Sequence, residues 1–158
     1  MIVTVDISDL KVSAAADDLI VTHALGSCIA VMVYDPVRRA GGMIHYMLPL
    51  SGLSPERARV SPAMFADTGV PLLFQGLYQL GCERRNLVVK VTGGGTLLDE
   101  RGLFAIGKRN YAALRKLLWK ADVPIAAQDV GGARSRTARL YVGSGRCTVT
   151  SHGREVEL

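Results

Sequence analysis

The stretch Cys28–Tyr34 (Cys-Ile-Ala-Val-Met-Val-Tyr) contains no charged side chain and no alternation of polar and apolar residues. A strand of this composition is apolar on both faces, which is typical of a central strand covered by other elements on two sides. Asp35-Pro36 then predicts a turn, and Met43–Leu48 predicts a returning strand. The chain therefore has to place layers on both sides of a sheet.

Two helices and several further strands can supply these layers. Helical periodicity covers residues 61–81, where Pro71 either lies near the helix start or kinks the helix, and residues 107–121. No repeat, low-complexity stretch or long linker interrupts the chain. We therefore expect one α+β domain over residues 1–158, with layered, mixed sheets and two main helices. The additional strands are predicted at residues 3–7, 19–22, 86–92, 125–130, 137–142 and 147–149, with a hairpin turn at Gly143-Ser144-Gly145.

Composition excludes several classes of protein. The 158 residues are 49% hydrophobic, so the chain can bury a core and is not a disordered protein. No apolar run approaches the roughly 18 residues of a membrane span, and the first residues lack an export signal. We therefore expect a cytoplasmic protein without membrane insertion. Cys28, Cys82 and Cys147 lack the paired spacing of disulfides or zinc ligands, so we expect free thiols, no metal site and no cofactor.

The net charge of +5 is unevenly distributed along the chain. Residues 1–79 carry five Lys/Arg and seven Asp/Glu, whereas residues 80–158 carry fourteen and seven. The basic residues of the second half are scattered, with few aromatic residues between them, which is a poor match to proteins that bind single-stranded nucleic acid. An acidic protein partner fits at least as well, although a solvated surface is by itself the commoner explanation. We expect no nucleic-acid partner.

The predicted hairpin brings a thiol and an imidazole to one face. If Asp35 is the first residue of a four-residue turn, it faces Arg38, and the same register places Cys28 directly opposite His45. A bulge at Gly41-Gly42 that shifted the register by one residue would send His45 to the other face. An imidazole beside a thiol supplies the base that a cysteine nucleophile needs.

Two further features fit the same chemistry. Thr22, on the preceding strand, can accept a hydrogen bond from the second imidazole nitrogen and so orient the ring. Ser27 and Cys28 stand at a loop-to-strand junction, where backbone amides outside a strand ladder can bind an oxyanion. From the pattern alone, however, a cysteine entering an apolar strand is more often a buried small side chain. His45 is likewise more often a core histidine.

Three segments around these residues are similar to the signature of the chemoreceptor glutamine deamidases, the CheD family. They are Leu25-Gly26-Ser27-Cys28, Tyr34-Asp35-Pro36 and the run from Gly41 to Pro49. Further segments agree in the expected order and extend the resemblance over nearly the whole chain. They are Asp67-Thr68 before Pro71-Leu72-Leu73, the glycines after Val91-Thr92, Ile106-Gly107-Lys108-Arg109-Asn110 and the run from Gln128 to Gly132.

The resemblance implies a cysteine-dependent amidohydrolase that converts glutamine side chains of chemoreceptors to glutamate and releases ammonia. It assigns Cys28 as the nucleophile, His45 as the general base and acid, and Thr22 as the residue that orients His45. The backbone amides around Ser27 and Cys28 are expected to hold the oxyanion. A glutamate methyl ester could give the same acyl-enzyme, so ester hydrolysis is a further expected activity. The residues that bind substrate are not assigned.

The resemblance also implies partners and a fold. The expected partners are the cytoplasmic domains of chemoreceptors, whose acidic helices a basic second half could hold, and a CheC-type phosphatase. The expected fold is similar to that of Cys–His toxin deamidases, and a monomer is expected. The alternative function is a non-catalytic adaptor that docks on receptors or on the phosphatase.

The chain departs from the family pattern in two glycine-containing segments, Gly93-Gly94-Gly95-Thr96 and the residues after Gly131-Gly132. There we expect a loop hydroxyl at Thr96 and a surface charge at Arg136. Other conspicuous residues are expected to lie outside the catalytic site. They are His23 on the face opposite Thr22, the inert thiols of Cys82 and Cys147, and Trp119 as a packing residue.

Overall fold

The computed structural model describes residues 1–96 and 105–158, which contain two five-stranded sheets and three helices. The helices are α1 (Pro55–Val60), α2 (Ala66–Gln79) and α3 (Ile106–Lys120). The strands are β1 (Ile2–Thr4), β2 (Asp9–Ser13), β3 (Leu19–Leu25), β4 (Ile29–Asp35), β5 (Ala40–Tyr46), β6 (Val88–Gly93), β7 (Ile125–Val130), β8 (Arg136–Tyr141), β9 (Cys147–Ser151) and β10 (Arg154–Glu157).

Both sheets are mixed. The first sheet has the order β1-β3-β8-β9-β10, and the second has the order β2-β5-β4-β6-β7. The β1–β3 and β6–β7 pairs are parallel, and the other pairs are antiparallel. Strand β4 lies at the centre of the second sheet and is buried at every position, as the uninterrupted apolar run predicts.

The second sheet is the middle layer of the structure. On β4, Ile29, Val31 and Val33 belong to a core that includes residues of α2 and α3. The alternate residues of β4, such as Ala30 and Met32, belong to a second core with residues of β3 and β8. Helices therefore cover one face of the second sheet and the first sheet covers the other. This arrangement confirms the predicted α+β class and its layers, whereas the likeness to toxin deamidases stays a prediction.

The register of the β4–β5 hairpin differs from the predicted one by two residues. Asp35 pairs with Ala40, not with Arg38, because the loop contains four residues. The Asp35 carboxylate accepts hydrogen bonds from the backbone N–H groups of Val37 and Arg38 at 2.9 Å each, and Arg39 completes the turn with a φ of 59°. A shift of two residues keeps every side chain on its predicted face, whereas a shift of one would have reversed the faces.

The helical segments also differ in detail from the prediction. The helix predicted over residues 61–81 starts later, at Ala66, after a 3₁₀ turn at Pro62–Met64, and Pro71 lies inside it. Helix α1 and the strands β2 and β10 were not predicted. In the part of the chain that the structure describes, none of the helices is long and apolar enough to cross a membrane.

Candidate active site

His45 lies near the end of β5 with its side chain directed at the first sheet. It pairs with Ala30 of β4 on one side and with Asp9 of β2 on the other, so two ladders fix its backbone. The neighbouring residues Ile44 and Tyr46 belong to the helix-side core, which leaves His45 on the opposite face. Only 3% of His45 is exposed.

Thr22 determines which nitrogen of His45 carries the proton. The Thr22 hydroxyl donates to the carbonyl oxygen of Val5 at 2.6 Å, so its only hydrogen is already used. Its oxygen lies 2.8 Å from Nδ1 of His45 and can therefore only accept, which places the proton on Nδ1. The other nitrogen, Nε2, then has a free lone pair, and it has no hydrogen-bond partner among the described residues. This is the nitrogen that can act as a base.

Burial keeps the imidazole neutral. Removal from water lowers the pKa of His45 to about 4, while the nearby Asp6 carboxylate acts in the opposite direction. At neutral pH the ring therefore carries one proton, and Nε2 can accept a second one from a nearby acid.

Cys28 directly precedes β4 and lies on the same side of the sheet as His45. The observed register pairs His45 with Ala30, so Cys28 is its diagonal neighbour and not its direct partner. Diagonal neighbours have Cα atoms about 7–8 Å apart, and their side chains can come closer. Cys28 is partly exposed and packs against the core between the two sheets. The structure therefore places Thr22, His45 and Cys28 on one side of the hairpin.

Burial also keeps the thiol protonated. It raises the pKa of Cys28 to about 11, although the backbone N–H of Cys28 itself acts in the opposite direction. The resting pair is therefore a thiol and a neutral imidazole, not a thiolate and an imidazolium. No group of three or more His, Cys, Asp or Glu residues within 1–96 and 105–158 could hold a metal ion.

The loop Gly26-Ser27-Cys28 is held by hydrogen bonds to all three of its carbonyl oxygens. The Gly26 oxygen accepts from the N–H of Gly95, and the Cys28 oxygen accepts from the N–H of Gly94, both at 2.8 Å. The Ser27 oxygen accepts from the side-chain amide of Asn110 in α3 at 2.9 Å. Cys28 is therefore positioned by two distant parts of the chain.

Asn110 links the loop Gly26-Ser27-Cys28 to the strand that carries His45. Its fully buried side-chain amide also donates to the carbonyl oxygen of Met47, one residue after β5, at 2.8 Å. The backbone carbonyl oxygen of Asn110 accepts from the hydroxyl of Tyr46 at 2.7 Å. We did not predict a role for Asn110. The available signal was a polar residue on the apolar side of an amphipathic helix, in line with Leu114.

The orientation of the Ser27–Cys28 peptide follows from the Asn110 contact. In a trans peptide the C=O and N–H groups point in opposite directions, so the N–H of Cys28 points away from Asn110. In the described part of the chain, no backbone hydrogen bond uses the N–H of Ser27 or of Cys28. Both groups are therefore suitable donors for a developing oxyanion.

Arg136 is buried, so the expectation of a surface charge was wrong. It is 1% exposed and forms an ion pair with Asp129, whose carboxylate also pairs with Arg134. Its guanidinium donates to the carbonyl oxygens of Gly93 and Gly131. A buried cation is stable only when it is paired and hydrogen-bonded. Arg136 meets both conditions and connects the two glycine turns next to the loop Gly26-Ser27-Cys28. Thr96 lies in that region as a loop residue, and its N–H donates to Gly132.

The remaining conspicuous residues lie elsewhere. His23 is exposed on the face opposite Thr22, as predicted. Cys82 and Cys147 are buried free thiols. Trp119 was predicted to be a packing residue, but 81% of it is exposed, because it lies on the solvent side of α3.

Comparison with known proteins places the chain in a family. The family model described as "CheD chemotactic sensory transduction" matches residues 47–151. The chain belongs to the CheD family. The resemblance found in the sequence is thereby confirmed. The matched range begins after Cys28 and His45, so the family match does not include these two residues.

Curated relatives cover nearly the whole chain. A protein of Anaeromyxobacter dehalogenans (strain 2CP-C) named "Probable chemoreceptor glutamine deamidase CheD 2" is 55% identical over 95% of this chain and 94% of its own length. Relatives named "Probable chemoreceptor glutamine deamidase CheD" from Solibacter usitatus (strain Ellin6076) and "Probable chemoreceptor glutamine deamidase CheD 1" from Syntrophus aciditrophicus (strain SB) are 47% and 48% identical. They cover 99% and 96% of this chain and 92% and 94% of their own lengths, respectively.

Proposed function

We propose that this protein is a cysteine-dependent glutamine deamidase that acts on the cytoplasmic domains of chemoreceptors. The observation that carries the proposal is the hydrogen-bond chain from Val5 through Thr22 to His45, which leaves Nε2 of His45 unprotonated on the side of the sheet where Cys28 lies. The names of the relatives supply the substrate class.

The first half of the reaction releases ammonia. As Sγ of Cys28 attacks the side-chain amide carbon of the substrate glutamine, its proton moves to Nε2 of His45. The amide oxygen becomes an oxyanion, which the N–H groups of Ser27 and Cys28 stabilise. His45 then protonates the amide nitrogen, the C–N bond breaks, and ammonia leaves behind a thioester on Cys28.

The second half of the reaction regenerates the enzyme. His45 removes a proton from a water molecule, and the resulting hydroxide attacks the thioester carbon at the same oxyanion site. The C–S bond breaks, glutamate is released, and Sγ of Cys28 recovers its proton from Nε2. A glutamate methyl ester would form the same thioester with loss of methanol, so the site is also suited to ester hydrolysis.

The pKa shifts imply that proton transfer accompanies attack. Burial raises the pKa of Cys28 and lowers that of His45, so an ion pair is not favoured at rest. The site therefore activates the thiol only when a substrate carbonyl is in place, and a free thiolate does not accumulate. Because Cys28 then rests as a protonated thiol, we expect its alkylation at neutral pH to be slow in the absence of substrate.

The mass of a receptor cytoplasmic fragment tests the proposal. Incubation with the wild-type protein should convert glutamines to glutamates, which peptide mass spectra can locate. Cys28→Ala and His45→Gln should abolish the conversion, whereas the matched controls Cys147→Ala and His23→Gln should retain it. Unchanged mass with the wild-type protein would contradict the proposal. If the fragment or a CheC-type phosphatase still bound, the adaptor function would replace it.

Substitution of Thr22 tests the orienting role. Thr22→Val removes the acceptor for the Nδ1 proton of His45, and a buried donor without a partner costs about 1–3 kcal/mol, which corresponds to about 5- to 150-fold in kcat. Thr22→Ser keeps the hydroxyl and should retain most of the activity. Equal rates for Val and Ser at this position would contradict the role.

A further inference from the structure

Helix α3 has an exposed face that carries cations and no acidic residue. We call it the basic face of α3 and define it by the exposed residues of this helix. At 3.6 residues per turn these residues fall within an arc of about 140°. Between Ile106 and Lys120 the helix contains no Asp or Glu. The basic face consists of Lys108, Arg109, Ala112, Arg115, Lys116, Trp119 and Lys120.

The cations of this face have no acidic partners in the described part of the chain. The ion pairs found there involve other cations, including Lys11, Arg134 and Arg136. Of the five cations on α3, Arg115 alone has a side-chain contact within the described residues: its guanidinium lies 5.9 Å from the centre of the Tyr111 ring. Five cations on one helix face, without counter-ions among residues 1–96 and 105–158, form a strongly positive surface.

Trp119 distinguishes this face from an ordinary solvated surface. It is 81% exposed in the middle of the arc, although tryptophan is highly buried on average. It also borders a groove towards β7, together with Tyr111, Pro124 and Gln128. An exposed tryptophan surrounded by cations is typical of a protein-binding surface, since Trp and Arg are enriched among the residues that dominate binding energy.

The basic face begins beside the candidate active site. Lys108 and Arg109 directly precede Asn110, whose side chain holds the carbonyl of Ser27. One turn earlier, Gly107 lies against the carbonyl oxygens of Gly94 and Gly95, so closely that a Cβ there would come within 2.5 Å. From Lys108 to Lys120 the face extends about 18 Å along the helix axis. A protein whose glutamine reaches Cys28 could therefore also contact this face.

We propose that the basic face of α3 docks an acidic helix of the substrate protein and so selects which glutamines reach Cys28. The inference rests on the proposed function, because it concerns the substrate of the same site. A helix is the fitting partner because the cations form two rows along the helix axis, on either side of Ala112 and Trp119. Carboxylates every three or four residues of an acidic helix would face them. Nucleic acid fits less well, since a single exposed tryptophan offers no series of stacking positions.

Charge reversal on α3 provides the test. The double substitution Arg115→Glu with Lys116→Glu is compared with Arg57→Glu and Arg59→Glu, which change the charge equally at exposed positions on α1. Affinity for a chemoreceptor cytoplasmic fragment is measured in the Cys28→Ala background, so that binding is separated from turnover. We expect about 10-fold weaker binding and a weaker salt dependence for the α3 variant only. Trp119→Ala should weaken binding without changing the salt dependence.

Turnover of two substrates completes the test. With active protein, the α3 variant should raise KM for the receptor fragment about 10-fold. It should leave hydrolysis of a glutamine peptide too short to reach α3 unchanged. Equal KM and equal affinity for the α1 and α3 variants would overturn the inference, even if the wild-type protein deamidates the fragment. Binding through α3 without deamidation would instead contradict only the proposed function. Duplex DNA that displaces the fragment at physiological salt would overturn the choice of a protein partner.

Discussion

His45 and Cys28 are positioned by two different kinds of structure. His45 lies within β5, which pairs with β2 on one side and β4 on the other, and Thr22 contacts it from β3 of the facing sheet. Cys28 lies in a loop before β4, where the N–H groups of Gly94 and Gly95 and the side chain of Asn110 hold the backbone. His45 is thus fixed by regular sheet pairing, and Cys28 is fixed by contacts between loops and a helix.

The two arrangements differ in what would disturb them. A side chain inside a sheet is placed by ladder hydrogen bonds that depend little on residue identity, so changes there act mainly on the proton chemistry of the imidazole. The loop depends on a close fit of backbone against backbone, and Asn110 lies 83 residues away from Ser27 in the chain. The position of Cys28 should therefore be sensitive to changes in backbone geometry. The state of His45 should be sensitive to protonation of its imidazole.

The largest effect, on the free energy of unfolding, is expected from a methyl group added next to the loop Gly26-Ser27-Cys28. Gly93 has a φ of 110°, and a Cβ there would lie 2.2 Å from the carbonyl oxygen of Cys28. Gly93→Ala should lower the free energy of unfolding by about 4 kcal/mol or more, because neither backbone can easily move. Gly131→Ala is the matched control, with a φ of 83° but nothing within 4 Å of its Cβ, and should cost about 1–2 kcal/mol. Urea denaturation of both variants measures the difference, and equal losses would refute the fit described here.

The histidine side should respond to acid. The pKa of His45 is lowered from 6.5 to about 4 in the folded protein, so the unfolded chain binds more protons between these pH values. The contribution of His45 to stability is complete above pH 6.5 and is lost as the pH falls towards 4, by up to about 3 kcal/mol. His45→Gln removes this titration, so its free energy of unfolding should vary less with pH over the same range. If the free energy of unfolding varied with pH in the same way in the wild-type protein and in His45→Gln, burial would not protect the imidazole from protonation.

The same comparison explains what could be predicted from the sequence. The faces of Thr22, His45 and Cys28 follow from alternation along strands, so their placement on one side could be predicted even though the hairpin register could not. The register depended on the Asp35 carboxylate, which caps a longer turn than the Asp-Pro pair suggested. Asn110 was missed because its role depends on loops that no local pattern connects to α3.

Charge and size gave misleading expectations at two other positions. Arg136 was expected at the surface because most arginines are exposed, but it fills a site made by the carboxylate of Asp129 and two turn carbonyls. Trp119 was expected to be a packing residue, but the buried side of α3 is already occupied by Leu114, Leu118 and Asn110. In both cases the outcome was decided by tertiary partners that become apparent only in the folded chain.

A smaller effect, on kcat, is expected from substitution of Asn110, whose side chain holds the Ser27–Cys28 peptide. Asn110→Leu keeps the number and branching of the side-chain heavy atoms but removes both donated hydrogen bonds, so the peptide that carries the Cys28 N–H loses its fixed orientation. Removal of an oxyanion donor costs about 100- to 1000-fold in kcat, and a misoriented donor should cost about 10- to 100-fold. The KM for substrate should remain close to that of the wild-type protein.

Alkylation separates this positioning role from a general loss of structure. The reaction of Cys28 with iodoacetamide forms no oxyanion from a carbonyl, so its rate should be the same in Asn110→Leu and in the wild-type protein. Tyr46→Phe is the matched control, because it removes the hydrogen bond to the Asn110 carbonyl but keeps both side-chain contacts of Asn110. If alkylation and deamidation slowed in parallel in Asn110→Leu, Asn110 would hold the loop as a whole. The N–H of Cys28 would then have no separate part in stabilising the oxyanion.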